Sequence, residues 1–132
     1  MAGRFSVGDA RAGRRGLGIR AQQNVAASMR VVFDICVPRP LRKHLPGHDI
    51  RTAQEMGWDT LQNGDLIRAA EPLFEVLVTS DQNLKYQQNF QGRRIAILVL
   101  PTNYWPTLRE NHEKVIAALD SIHPGQYCEL SF

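Results

Sequence analysis

Phe74-Glu75-Val76-Leu77-Val78-Thr79-Ser80-Asp81 decides the fold. Apart from Glu75, its first six residues are aromatic, branched or apolar, types that suit a pleated, buried surface, and they end one residue short of a carboxylate. Two other stretches share this design. Met29-Arg30-Val31-Val32-Phe33 runs directly into Asp34, and residues 95–100 form a continuous apolar run suited to a strand buried on both faces. Residues 48–52 read as a further extended segment. Tyr127-Cys128-Glu129-Leu130-Ser131-Phe132 alternates, with Cys128, Leu130 and Phe132 on one face, as an edge strand would.

The segments between these strands read as helices. Pro38-Arg39-Pro40-Leu41-Arg42-Lys43-His44-Leu45 predicts a short helix, stopped by Pro46-Gly47. Asn63-Gly64-Asp65 supplies an N-cap to a second helix, whose buried face is read as Leu66, Ala69, Ala70 and Leu73. Pro106 opens a third, with Leu108, His112, Val115, Ile116, Leu119 and Ile122 at helical spacing, and Pro124-Gly125 ends it. Strands alternating with helices through short connections predict an α/β sandwich with a mostly parallel sheet.

The chain has 132 residues, one domain of ordinary size, with 43% apolar content. No run approaches the roughly 20 apolar residues that span a bilayer, so no membrane partner is expected. Two cysteines, Cys36 and Cys128, are too few for a secreted disulfide scaffold, which points to a reducing compartment, the cytoplasm. The net charge of +3 is unevenly placed: residues 1–29 hold five arginines against Asp9 alone, leaving the remainder at −1. Overall basicity therefore carries no argument for nucleic-acid binding. Residues 1–28, rich in Gly, Ala and Arg and without an apolar period, read as a disordered extension or as sequence upstream of a natural start at Met29, with an Arg-rich transit peptide as the competing reading. The domain is expected over residues 29–132.

In a parallel α/β sheet, strand C-termini and the starts of the following helices share the edge where ligands bind. That topology would gather Asp34, Glu55, Asp65 and Asp81 there. Four carboxyl groups so crowded repel one another unless protons or a cation intervene, and a hard divalent metal is the economical solution. Each acid also has a plain structural reading. Asp34 and Asp81 suit capped turns, Asp65 is a first-turn acid favoured by the helix dipole, and nothing fixes the direction of Glu55. The argument lies in their convergence.

Competing chemistries fit worse. His44, His48, His112 and His123 lack the close pairing of zinc motifs, and the cysteines form no C-x-x-C. No glycine-rich phosphate loop follows the first strand, and no histidine adjoins Cys36 to activate it. A phosphoacceptor receiver is disfavoured by Leu100-Pro101, where such chemistry uses a lysine before the proline, and Asp34-Ile35-Cys36 excludes a strand-end Asp-x-Asp phosphatase. Arg39, Arg42 and Lys43 follow the first strand, while Lys85, Arg93 and Arg94 flank Gln87-Gln88-Asn89. Basic groups near carboxylates suit a phosphodiester substrate, and equally suit salt bridges or a solvated helix face. Trp58, Tyr86 and Tyr104 fall in loops, where they would stack on unpaired bases or pack onto the core.

Five segments together resemble a known family: Val32-Phe33-Asp34-Ile35-Cys36-Val37-Pro38-Arg39-Pro40-Leu41, Arg51-Thr52-Ala53-Gln54-Glu55-Met56-Gly57-Trp58, Asn63-Gly64-Asp65-Leu66, Val78-Thr79-Ser80-Asp81-Gln82-Asn83-Leu84 and Tyr86-Gln87-Gln88-Asn89. They are similar to compact PIN-like domains related to the ribonucleases of toxin–antitoxin systems, over residues 30–132. The resemblance implies a three-layer α/β/α PIN-like fold and Mg²⁺- or Mn²⁺-dependent cleavage of RNA. It assigns the metal to Asp34, Asp65 and Asp81, with Glu55 as a further catalytic acid. It is extended to Arg39 and Lys85 as phosphate contacts, Asn83 as the residue that orients Asp81, a cognate antitoxin and a homodimer. Relatives often carry a glutamate directly after the strand-one acid, where this chain has Ile35. That departure, with the near-neutral body, supports the alternative of a non-catalytic PIN-like protein that binds a protein or RNA partner. A nuclease acting on DNA is a third reading.

Overall fold

The computed structural model describes residues 28–84 and 93–132. The expectations for the leader, and for Lys85, Tyr86 and Gln87-Gln88-Asn89, lie outside these residues. Five short strands form a single sheet: β1 (Arg30–Phe33), β2 (Asp49–Thr52), β3 (Val76–Thr79), β4 (Ala96–Val99) and β5 (Tyr127–Glu129). Their order is β2-β1-β3-β4-β5, and every neighbouring pair is parallel. Register is continuous across the middle, with Val32 paired to Arg51 on one side and to Leu77 on the other. Consecutive β1 and β2 are joined by the short helix expected there, a 3-10 helix over Arg39–His44. The remaining helices among the described residues are α1 (Asn63–Ala70), α2 (Trp105–Glu110) and α3 (His112–Ser121). The protein is therefore an α/β fold with a wholly parallel sheet.

Alternation along each strand divides the core between the two faces of the sheet. Val31, Phe33, Val76, Val78, Ala96 and Leu98 join Leu41 and Leu45 of the 3-10 region, Leu108 of α2, and Val115 and Leu119 of α3. Val32, Leu77, Ile97 and Val99 instead meet Leu66, Ile67 and Ala70 of α1, with Phe74. All four residues of β3 and of β4 are buried, which is why their sequences, Thr79 apart, are apolar. No helix among the described residues is long and apolar enough to cross a membrane.

Two expectations about helices change. The stripe anticipated after Pro106 is divided at Asn111, whose φ of −113° and ψ of 17° leave helical geometry and whose Nδ2 donates to the Thr107 carbonyl at 2.9 Å. Helix α1 buries Leu66, Ile67 and Ala70, whereas Leu73 lies beyond its end and is 45% exposed. Its buried stripe is rotated from the one read in the sequence, with consequences at the site.

Candidate functional site

Strand β1 pairs with β2 on one side and with β3 on the other, so the connection direction reverses between β1 and β3. Loops leaving two neighbouring parallel strands in opposite directions open a crevice at their C-terminal ends. Asp34 follows β1 directly, and Asp81 follows β3 by one residue. The sheet therefore brings these two sequence-predicted acids to its switch point, where both are partly exposed.

The group that joins them is Thr79, the last residue of β3 and 1% exposed. Its hydroxyl donates to Asp34 Oδ2 at 2.8 Å and accepts the Asp81 amide N–H at 3.2 Å. Cys36 closes the back of this arrangement. Its Sγ lies 3.7 Å from Thr79 Oγ1 and accepts the Ser80 N–H at 3.4 Å. Asp34 Oδ1 accepts the Ile35 N–H at 2.8 Å. Asp81 Oδ1 accepts the Asn83 N–H at 3.0 Å, and its Oδ2 accepts Asn63 Nδ2 at 2.7 Å. Asn83 meets Asp81 through its main-chain N–H. Each of the four carboxylate oxygens accepts one hydrogen bond and so keeps a lone pair for a ligand.

The other two acids are engaged elsewhere. Asp65 is exposed and ion-paired with Arg68, one helical turn along α1. Glu55 receives both Nη atoms of Arg42, at 3.0 and 2.9 Å, together with the Thr52 N–H at 3.0 Å. The Thr52 hydroxyl accepts the Glu55 N–H in return at 3.1 Å, closing the turn after β2 reciprocally. Hydrogen bonding from Arg42, then from the Thr52 amide, holds the Glu55 carboxyl down at about 2, and the same pairing raises the Arg42 guanidinium. Among the described residues, no three His, Cys, Asp or Glu side chains are grouped closely enough to hold a metal ion.

The acid–guanidinium pair has a pH signature. A carboxyl depressed in the folded state contributes stability above its unfolded value near 4.5, and loses that contribution as pH falls through about 2. In thermal unfolding, the difference between wild type and Glu55→Gln is expected to be constant above pH 5 and to shrink steadily towards pH 2. Both partners are solvent-accessible, so added salt should reduce the effect.

The basic residues also separate by edge. Arg39 donates to the neutral Gln54 side chain, beside the C-terminal edge of β1, and pairs with no carboxylate among the described residues. Arg93 and Arg94 precede β4, so they lie at the opposite edge. There Glu71 accepts the Arg94 N–H at 2.6 Å and pairs with Arg93 at 3.7 Å, and the Arg94 amide is the main cause of its lowered pKa. The expected grouping of Arg93 and Arg94 with the acids after β3 therefore does not form. A recess of about 270 Å³ opens at that far edge, lined by Met29, Phe74, Val76, Ala96 and Pro124 among others. Its Glu75 already accepts the Arg30 N–H at 2.7 Å, so the recess offers no free acid pair.

Sequence reading did not single out Thr79 and treated Asn63 only as a cap. Both had a signal. Thr79 is the one polar residue in the otherwise apolar β3, and Asn63 lies three, four and seven residues before Leu66, Ile67 and Ala70, on their stripe. Thr79→Val keeps the branched shape while leaving Asp34 Oδ2 and the Asp81 N–H without their partner. We expect a loss of about 1–3 kcal/mol in denaturant unfolding. Comparison with protein-family models, with curated proteins and with solved structures gives no match in any of the three.

Proposed function

We propose that this chain is a Mg²⁺- or Mn²⁺-dependent endoribonuclease of PIN-like type, acting as the toxin of a toxin–antitoxin pair. The observation that carries the reading is the Asp34–Thr79–Asp81 bridge at the switch point of the sheet. Magnesium keeps several waters and is commonly held by one or two carboxylates together with substrate phosphate oxygens. Two carboxylates with open lone pairs fit such an ion, and Asp34 and Asp81 would hold it. The cation would supply charge neutralisation at the scissile phosphate and a water of lowered pKa.

The chain's own groups would do the rest. Thr79, from within the core, holds the Asp34 carboxylate and the Asp81 main-chain N–H, so part of the ordering is already in place before binding. Arg39, which has no carboxylate partner among the described residues, would hold a phosphate beside the scissile one. Asp65 and Glu55, proposed from the resemblance as further acids, would have to leave Arg68 and Arg42 to take part. RNA as substrate, the antitoxin, the homodimer and a cytoplasmic site of action belong to this reading by resemblance. Lys85 remains part of it on the same ground.

Those two engaged acids favour a second reading, a non-catalytic PIN-like protein that keeps the fold and binds a protein or RNA partner. Calorimetry with Mn²⁺, followed by incubation with single-stranded RNA, separates the two. The nuclease should release heat on Mn²⁺ addition, gain thermal stability by mass action, and cut RNA in a reaction that EDTA stops. Absence of all three leaves the interaction module.

A further inference from the structure

We propose that the crevice takes an unpaired nucleic-acid strand, with one base stacked on Tyr104 and a flanking phosphate held at Arg39. This rests on the nucleic-acid half of the reading above and is independent of the metal. Of the three aromatics that the sequence places in loops, Trp58 packs onto the core, its ring edge-to-face with Phe74 at a centroid distance of 6.0 Å. Tyr86 lies outside the described residues. Tyr104 is 64% exposed, and its ring meets no other ring among the described residues.

Exposure alone would mean little, since single apolar residues are common on protein surfaces. Placement and rigidity give it meaning. Tyr104 lies in the connection leaving β4, at the same C-terminal edge of the sheet as Asp34 and Asp81. The loops after β3 and β4 are tied, because the Gln82 side-chain amide, next to Asp81, donates to the Leu100 carbonyl. The main chain at Tyr104 is held from both sides. Its N–H donates to Thr102 Oγ1 at 3.0 Å, and its carbonyl accepts the Leu108 N–H at 3.1 Å. The ring therefore extends from a fixed stem, and little backbone freedom is lost when a flat ligand covers it.

Arg39 stands on the other flank, at the start of the 3-10 helix after β1. Strands β1 and β4 are separated by β3, which sets their ends about 10 Å apart at an inter-strand spacing of about 4.8 Å. That is about the length of three stacked nucleotides at 3.4 Å each. A single strand can place a phosphate at Arg39, cross Asp34 and Asp81, and lay a base on Tyr104. A duplex cannot, because neighbouring pairs cover the face of every base and a side chain stacks only on one that is unstacked. Every base has a π-face, so this surface selects for an unpaired strand rather than for a sequence.

The test is fluorescence anisotropy in EDTA with a labelled mixed-sequence RNA about ten nucleotides long, the matching DNA strand, and the RNA annealed to its complement. Asp34 and Asp81 repel phosphate when no cation is present, so each measurement is repeated in Asp34→Asn/Asp81→Asn, which neutralises the crevice. Tyr104→Ala should weaken binding of the unpaired strand at least about fivefold, the low end of what one base on an aromatic ring contributes. Tyr104→Phe keeps the π-face and should stay within about twofold of wild type, whereas Tyr104→Leu should behave as Tyr104→Ala does. All three should melt with wild type, because the ring is exposed and the hydrogen bonds at this residue are main-chain. Arg39→Gln should lower the slope of log affinity against log salt by about 0.7, one phosphate contact on a single strand.

Binding of the RNA strand, the DNA strand or both supports the surface, and their ratio gives the preferred sugar. The duplex should bind more weakly and not respond to Tyr104→Ala. Equal affinity of Tyr104→Ala and wild type, a duplex bound as tightly as its single strand, or no strand binding in either background overturns the inference. Strand binding without Mn²⁺-dependent cleavage keeps this surface while the nuclease proposal falls. Mn²⁺-dependent cleavage undiminished by Tyr104→Ala does the reverse.

Discussion

Asp34→Asn and Asp81→Asn should each abolish Mn²⁺ binding and Mn²⁺-dependent cleavage of RNA. Asp34 and Asp81 are the two carboxylates at the switch point among the described residues, so losing one would remove half of the charge offered to the proposed cation. The expected fall in affinity exceeds the roughly 10- to 100-fold typical of losing an outer-shell partner. Because Asn is isosteric with Asp, much of the surrounding hydrogen bonding can be retained. Asp81→Asn still accepts the Asn83 N–H through its carbonyl, and Asp34→Asn still accepts from either Thr79 or Ile35. Both variants should therefore stay folded by circular dichroism, which separates loss of the ion from loss of the domain. Cleavage that continues undiminished in both would end the nuclease proposal.

The largest effect on stability is expected at Gly125, in the turn from α3 into β5. Gly125 has φ of +77°, a conformation that costs an L-residue roughly 1–2 kcal/mol. A Cβ there would also stand 2.6 Å from the Arg93 carbonyl oxygen, a main-chain atom that cannot rotate aside. Relief would require moving the chain just before β4, or the turn that sets β5 through the Ile97 N–H to Gln126 carbonyl hydrogen bond of 2.8 Å. Gly125→Ala should thus cost about 2–4 kcal/mol, the conformational term plus the clash, and lower Tm by roughly 10 °C. Gly47 and Gly57 also have positive φ, of 90° and 77°, but open space around the missing side chain. Alanine at either should cost only the conformational term, about 1–2 kcal/mol.

The strands were legible because they are buried on both faces. Apolar runs such as Val76-Leu77-Val78 and Ala96-Ile97-Leu98-Val99 have no polar alternate, and an acid placed just after such a run must lie at the strand's C-terminal end. Parallel winding then follows from the intervening helices. The strand order was a different matter, since it depends on which strands pair across long separations in sequence. The site was legible as far as Asp34 and Asp81, whose positions are fixed by strand ends. At α1 the buried stripe was misread, because an error in helical phase exchanges the residues that face the sheet. Reading the stripe through Ala69 and Leu73 favours Asp65 as the inward acid, whereas burial of Ile67 turns Asn63 inward instead. Glu55 was ambiguous for a related reason: no periodicity governs a turn, and Arg42, thirteen residues earlier, decides where it points.

Two of the three interior strands have a bearing on how the crevice moves. Strands β1 and β3 each carry a hydrogen-bonded neighbour on both sides, and Val31, Val32, Phe33 and every residue of β3 are buried. Their amides can exchange with solvent only when a large part of the molecule opens, not by fraying from an edge. Asp34 and Asp81 are thus anchored to the slowest-breathing part of the backbone, and their separation should persist through the local openings that loosen β2 and β5.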